Sequence, residues 1–101
     1  MSSKIEKHQK ICNELNALYA KKNHDYGDSF HLTYLEEGMA MPRIRIGDKF
    51  NRFKTLSRKL ESQKVRDESI RDTLLDLANY AIMTVLEMEG EHNDRNRIDS
   101  R

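Results

Sequence analysis

The chain has 101 residues, 37% apolar and 35% charged, with 18 Lys+Arg against 17 Asp+Glu. That length makes one domain, and a net charge of +1 leaves no overall field to draw it to double-stranded nucleic acid or to a membrane surface. No aliphatic run exceeds three residues, as at 81–83, which excludes a membrane span; the opening MSSKIEKHQK lacks the apolar stretch of a secretory signal, and the single Cys12 excludes an internal disulfide and a Cys pair for a metal, as expected in a reducing cytosol.

One Pro and four Gly leave few helix breakers, so long helices are the expectation. Ser2 or Ser3 caps a first helix to about residue 21, whose Ile5, Ile11, Cys12, Leu15, Leu18 and Tyr19 follow the spacing of a buried helical stripe. Residues 22–30 break that pattern: they are polar, contain Gly27, and offer Asp28 and Ser29 as caps for a short helix over 31–36. Residues 37–41 read as a loop, and Pro42 suits the first turn of a third helix over about 42–61.

That third helix is two-sided. At about 100° per residue, Ile46, Phe50, Phe53, Leu56 and Leu60 share one arc, while Arg45, Lys49, Arg52 and Lys59 share the adjoining one. A polar connection leads to Asp67 as cap of a last helix over 68–89, whose Ile70, Leu74, Leu77, Ala78, Ala81, Ile82, Val85, Leu86 and Met88 form a wide apolar face. Gly90 ends it, so residues 1–90 make a single helical domain and 91–101 a polar, mobile tail. The predicted fold is all-α, a small bundle of three main helices and one short one. A chain of this size with mean hydropathy −0.88 buries little surface alone. Homo-oligomerisation, as a dimer or tetramer built on the first and last helices, is therefore expected to complete the core.

Three groups of residues carry potential chemistry. Arg45, Lys49 and Arg52 are either a solvated helix edge or a phosphate clamp, in which arginine forks grip two oxygens and lysine adds a point charge. Bordering the apolar face rather than opposing it favours the clamp. Asn23-His24-Asp25-Tyr26-Gly27-Asp28-Ser29-Phe30 is either a plain turn or a pocket wall, with Tyr26 and Phe30 placed around Gly27 to stack a flat ring. Glu68, Asp72, Asp76 and Asn79 stand at i, i+4, i+8 and i+11, one stripe of the last helix. Such carboxylates either pair with the basic stripe or hold Mg²⁺ through oxygen ligands, and like charges at that spacing need compensation. The four histidines lack zinc spacing, and neither a phosphate-binding glycine loop nor a nucleophile motif is present.

Three ordered motifs then resemble a known family. Lys22-Asn-x-Asp25-Tyr26-Gly27-x-Ser29-Phe30, Arg45-x-x-Asp48-Lys49-x-x-Arg52 and Val65-x-Asp67-Glu68-Ser69-x-x-Asp72-Thr73-Leu74-x-Asp76-Leu77-Ala78-Asn79-Tyr80 resemble the nucleotide modification associated domain of type one, helical proteins mainly of phages and prophages. The resemblance spans about residues 19–83. It implies association with nucleotides, and small helical phage proteins of this kind include sponges that sequester cyclic nucleotide signals of host antiviral defence. The last motif is also similar to half of a MazG-like all-α nucleoside triphosphate pyrophosphohydrolase. Those enzymes gather Mg²⁺ with paired carboxylates on two helices; Glu68, Asp72 and Asp76 match one side, and the second side is absent here.

The expected function is accordingly a nucleotide-binding phage protein that holds a nucleotide or cyclic dinucleotide, in the host cytoplasm, without catalytic residues or cofactor. Lys22, Tyr26, Gly27, Phe30, Arg45, Lys49 and Arg52 are its expected binding residues. The alternative is a Mg²⁺-dependent pyrophosphohydrolase, or a nucleotide-modification accessory protein, with Glu68, Asp72 and Asp76 at the metal.

Overall fold

A computed structural model describes residues 3–61 and 67–99; the side chains of Tyr26, Asp67 and residues 92–99 lie outside the description. The described residues form four helices and no strand: α1 (Lys4–Tyr26), α2 (Ser29–Glu37), α3 (Ala40–Glu61) and α4 (Asp67–Asp99). The all-α expectation is met, with three long helices and one short.

Ser3 caps α1, its hydroxyl accepting the Glu6 N–H at 3.1 Å, which satisfies one of the helix's free amides. The helix does not stop near residue 21 but runs on to Tyr26, because Lys22, Asn23, His24 and Asp25 are polar without being helix breakers. Gly27 ends it in the left-handed conformation, φ 62° and ψ 38°, donating its N–H to Asn23 O at 3.0 Å. Asp28 follows with φ 57°, so two successive left-handed residues reverse the chain into α2. The expected loop shrinks to a two-residue corner. The next connection is equally tight, Gly38 and Met39, and Pro42 falls in the first turn of α3 as predicted.

α4 departs most from expectation. It passes through Gly90 to Asp99, since a glycine in helical geometry costs only about 1 kcal/mol relative to alanine and does not terminate a helix by itself.

α3 and α4 form an antiparallel hairpin, the largest packed pair in the molecule. The α3 residues turned inward are Pro42, Ile46, Lys49, Phe53, Leu56 and Leu60, buried or half-buried at alternating spacings of four and three, the pattern of two helices packed along a seam. Phe50, assigned to the apolar arc from its spacing, is instead half exposed, with the Lys54 ammonium 5.0 Å from its ring centre. Lys49 takes the inward register in its place. On α4, Thr73 and Thr84 are buried and donate their hydroxyls to the carbonyls of Ser69 and Tyr80, four residues back, at 2.8 and 2.7 Å. These bonds leave no unsatisfied hydroxyl at the two buried positions.

α1 touches α4 along a short stretch, fixed by Glu14–Arg71 at 2.6 and 2.9 Å and by the Asn79 amide donating to Leu15 O at 3.1 Å. α2 lies across α3 and α4, with His31 Nδ1 2.7 Å from Glu87. No helix of the described residues is long and apolar enough to cross a membrane.

Candidate functional site

The corner at Gly27 and Asp28 brings the end of α1 and the start of α2 over the α3–α4 hairpin, and a cleft of about 350 Å³ opens between them. That volume lies at the small end of the range for ligand pockets. α1 supplies Tyr19, Lys22 and Asn23; the corner and α2 supply Asp28, Ser29, Phe30 and Thr33; α3 supplies Met41 and Arg45; α4 supplies Asp76, Asn79, Tyr80 and Met83. Four helices thus converge on one cavity with an aromatic and a charged side.

The charged side is organised by Asp76. Lys22 of α1 donates to its Oδ1 at 3.1 Å, and Lys49 of α3 donates to its Oδ2 at 3.0 Å. Partial burial pushes the Asp76 carboxyl up, but the hydrogen bonds and charges of Lys49 and Lys22 outweigh it and hold the group below its ordinary value. Two ammonium groups therefore face one carboxylate, with the Arg45 guanidinium on the same cavity wall. Lys22, Lys49 and Arg45 stand against Asp76 and Asp28, a local excess of one positive charge that suits an anion.

Phe30 and Tyr80 form the aromatic side, their rings stacked at 6.0 Å between centroids and 25° between planes. Asn79 is oriented by its bond to the Leu15 carbonyl, which ties the cleft wall to α1.

Of the residues singled out from sequence, Lys22, Phe30 and Arg45 line this cleft, and Lys49 reaches it through Asp76. Gly27 does not line it; its left-handed cap sets where Ser29 and Phe30 begin. The Tyr26 side chain lies outside the described residues. Arg52 is placed elsewhere, in a shallow depression with Asn51, Thr55, Leu56 and Lys59, about 10 Å along α3 from Arg45. Sequence reasoning passed over Tyr19, Thr33, Met41 and Met83 as site residues, used Tyr80 only as part of a motif, and held Asn23, Asp28 and Ser29 only within the candidate pocket wall. Helical spacing was the available signal: Tyr80 is four residues from Asp76, and Tyr19 three from Lys22, so each shares its neighbour's face.

The carboxylates proposed for Mg²⁺ do not meet. Asp76 is engaged by two lysines, Glu68 and Asp72 are exposed, and among the described residues no three His, Cys, Asp or Glu side chains are grouped to hold a metal ion. This donor set does not fit the cation, which needs several oxygens around one point.

In comparison with known proteins, the family model described as nucleotide modification associated domain 1 matches residues 22–88. The matched span runs from Lys22 through the cleft residues of α4. No curated protein and no solved structure matches the chain.

Proposed function

This chain belongs to the nucleotide modification associated domain 1 family, and on that footing we propose that its cleft binds a nucleotide and holds it without cleaving it. The phosphates sit against Lys22, Lys49 and Arg45, and the base lies against Phe30 and Tyr80. The observation that carries this reading is the convergence of two lysines from different helices at the edge of a stacked aromatic pair. Ammonium groups and an arginine fork suit phosphate oxygens, and an aromatic face suits any base.

A cavity of about 350 Å³ takes one nucleotide unit. A cyclic dinucleotide extends past it along the basic side of α3 toward Arg52, which gives that residue a place in the longer ligand's site. Sequestration of such a signal by a phage protein, in the host cytoplasm, is the setting we propose. Retention over hydrolysis is supported by the carboxylates themselves, since among the described residues no three His, Cys, Asp or Glu side chains are grouped to hold the metal that assisted cleavage would draw on.

The test is to incubate the purified protein with a panel of nucleotides, cyclic dinucleotides included, remove free ligand, and heat-denature it. Intact ligand in the released fraction is expected. Altered ligand would instead establish the pyrophosphohydrolase reading, and an empty fraction from every member of the panel would sink both. Arg45→Ala is expected to weaken binding by about 1–3 kcal/mol, the range for a hydrogen bond to a charged group, with a smaller loss for Arg52→Ala on a mononucleotide.

A further inference from the structure

Asn79, Thr33 and Asp28 line the cleft, and each has a fixed hydrogen-bonding sense: all of them accept. The Asn79 amide nitrogen donates to the Leu15 carbonyl of α1 at 3.1 Å. A carbonyl takes only a donor, so this bond settles which arm of the amide is which, and the oxygen is the arm left for the cleft. Thr33 of α2 commits its hydroxyl proton to Ser29 O at 3.0 Å, which leaves only the lone pairs of its oxygen. Asp28 is a carboxylate and accepts by virtue of its charge.

Asp28 stands at the N-cap of α2, where an aspartate in extended backbone bonds the amides of the first turn. Here its backbone is left-handed, φ 57° and ψ 40°, and its side chain makes no capping bond. The carboxylate belongs to the cleft wall instead. In sequence Asp28 and Thr33 flank Phe30, and Asn79 adjoins Tyr80, so the acceptors come from the corner, α2 and α4 around the stacked aromatic pair. The hydroxyls of Tyr19, Ser29 and Tyr80 and the Asn23 amide, also on the wall, offer donor and acceptor alike and adapt to what they meet. They discriminate little between ligands.

A ring placed against Phe30 and Tyr80 therefore meets oriented acceptors at its edge. Guanine presents a ring N–H beside an exocyclic amine; adenine and cytosine present the amine without that N–H; uracil and thymine present a ring N–H between carbonyls. Adjacent donors match the two oxygens of a carboxylate as an arginine fork does, whereas a carbonyl set against an acceptor leaves both unpaired. Resting on the reading of the cleft as a nucleotide site, we propose that it selects guanine nucleotides. Asp28 accepts from the ring N–H and the amine, and Asn79 and Thr33 turn away bases whose edge presents carbonyls.

The experiment is titration calorimetry on the full chain with guanosine and inosine monophosphates, which differ only in the exocyclic amine, and with uridine monophosphate. The same comparison is made with cyclic dinucleotides carrying guanine, hypoxanthine or uracil. The guanine ligand is expected to bind at least about tenfold tighter than the hypoxanthine one, the lower end for a hydrogen bond to a charged group, and the uracil ligand weakest. Asp28→Asn keeps a residue that tolerates left-handed backbone and puts a donor where an acceptor stood, so the ratio of guanine to hypoxanthine affinity should fall toward one. Removing the charge of Asp28 also eases phosphate binding, but equally for both ligands, and this cancels in the ratio. Equal affinity for the guanine and hypoxanthine ligands in the parent overturns the proposal and leaves nucleotide binding standing. An undiminished ratio in Asp28→Asn overturns the role given to Asp28. Absence of binding by every ligand overturns this selection together with the reading on which it rests.

Discussion

Asp76 is the residue on which the cleft turns, since its two carboxylate oxygens occupy the two lysines that a phosphate would otherwise meet. A bound phosphate competes with this carboxylate for Lys22 and Lys49 and is repelled by its charge. Asp76→Asn removes the repulsion and weakens the competition while keeping the shape. Nucleotide affinity measured by calorimetry is therefore expected to rise about tenfold, equivalent to about 1.4 kcal/mol. Thermal stability should fall by about 1–2 kcal/mol, because an amide replaces a half-buried charged partner of two lysines. An affinity that falls instead would mean that Asp76 positions the lysines for the ligand rather than standing in for it. The i, i+4, i+8 stripe in the sequence identified Asp76 as needing compensation, and its partners are lysines from α1 and α3. Their convergence depends on two helix crossings, which no spacing within one helix encodes.

At the scale of elements, the helices owe their limits to a few backbone positions. Gly27 and Gly38 have positive φ and sit at the two corners, whereas Gly47 and Gly90 lie inside helices. A side chain at Gly47 would meet nothing within 4 Å, so Gly47→Ala gains helix propensity without a clash. It should stabilise the protein by about 0.5–1 kcal/mol, raising the melting temperature by a few degrees. Gly27→Ala, with equally open surroundings, should do the reverse by about 1 kcal/mol, since a Cβ strains the left-handed conformation. Equal effects at the two glycines would contradict the assignment of corner and helix. In the sequence Gly90 looked like a stop, as Gly27 and Gly38 did, while Gly47 fell inside a predicted helix. Gly90 is not one, because a helix ends only where the next residues find a better partner than continued helix.

For the molecule as a whole, the attachment of α1 is the point most sensitive to pH. Two ion pairs hold it to α4, Glu14–Arg71 and Lys22–Asp76. The Arg71 guanidinium keeps the Glu14 carboxyl below its ordinary value, and the lysines do the same for Asp76 against the opposing effect of burial. Carboxyls lowered in the folded state contribute stability above their ordinary values, about 4, and that contribution is lost as pH falls through the lowered folded values. Hydrogen exchange should accordingly show α1 amides losing protection below about pH 4 before those of the α3–α4 hairpin do. Uniform loss across all helices would show that α1 is held by packing instead.

The helical class, the four elements and the family motifs were legible in the sequence because they rest on short-range chemistry: periodic apolar residues, Ser3 as a cap, Pro42 in a first turn. The basic and acidic stripes were legible for the same reason. Tertiary structure decided which stripe residues meet. It turned Lys49 inward and Phe50 outward, drew Lys22 and Arg45 into the cleft, and set Arg52 apart about 10 Å further along α3. It also buried Leu75, Thr73 and Thr84 of α4 and left Leu74, Ile82, Val85, Leu86 and Met88 of the predicted apolar face exposed. Side chains on one helix share a face by spacing alone, but the face that a neighbouring helix covers depends on crossing angles and close approach, which are settled only when all four helices pack together.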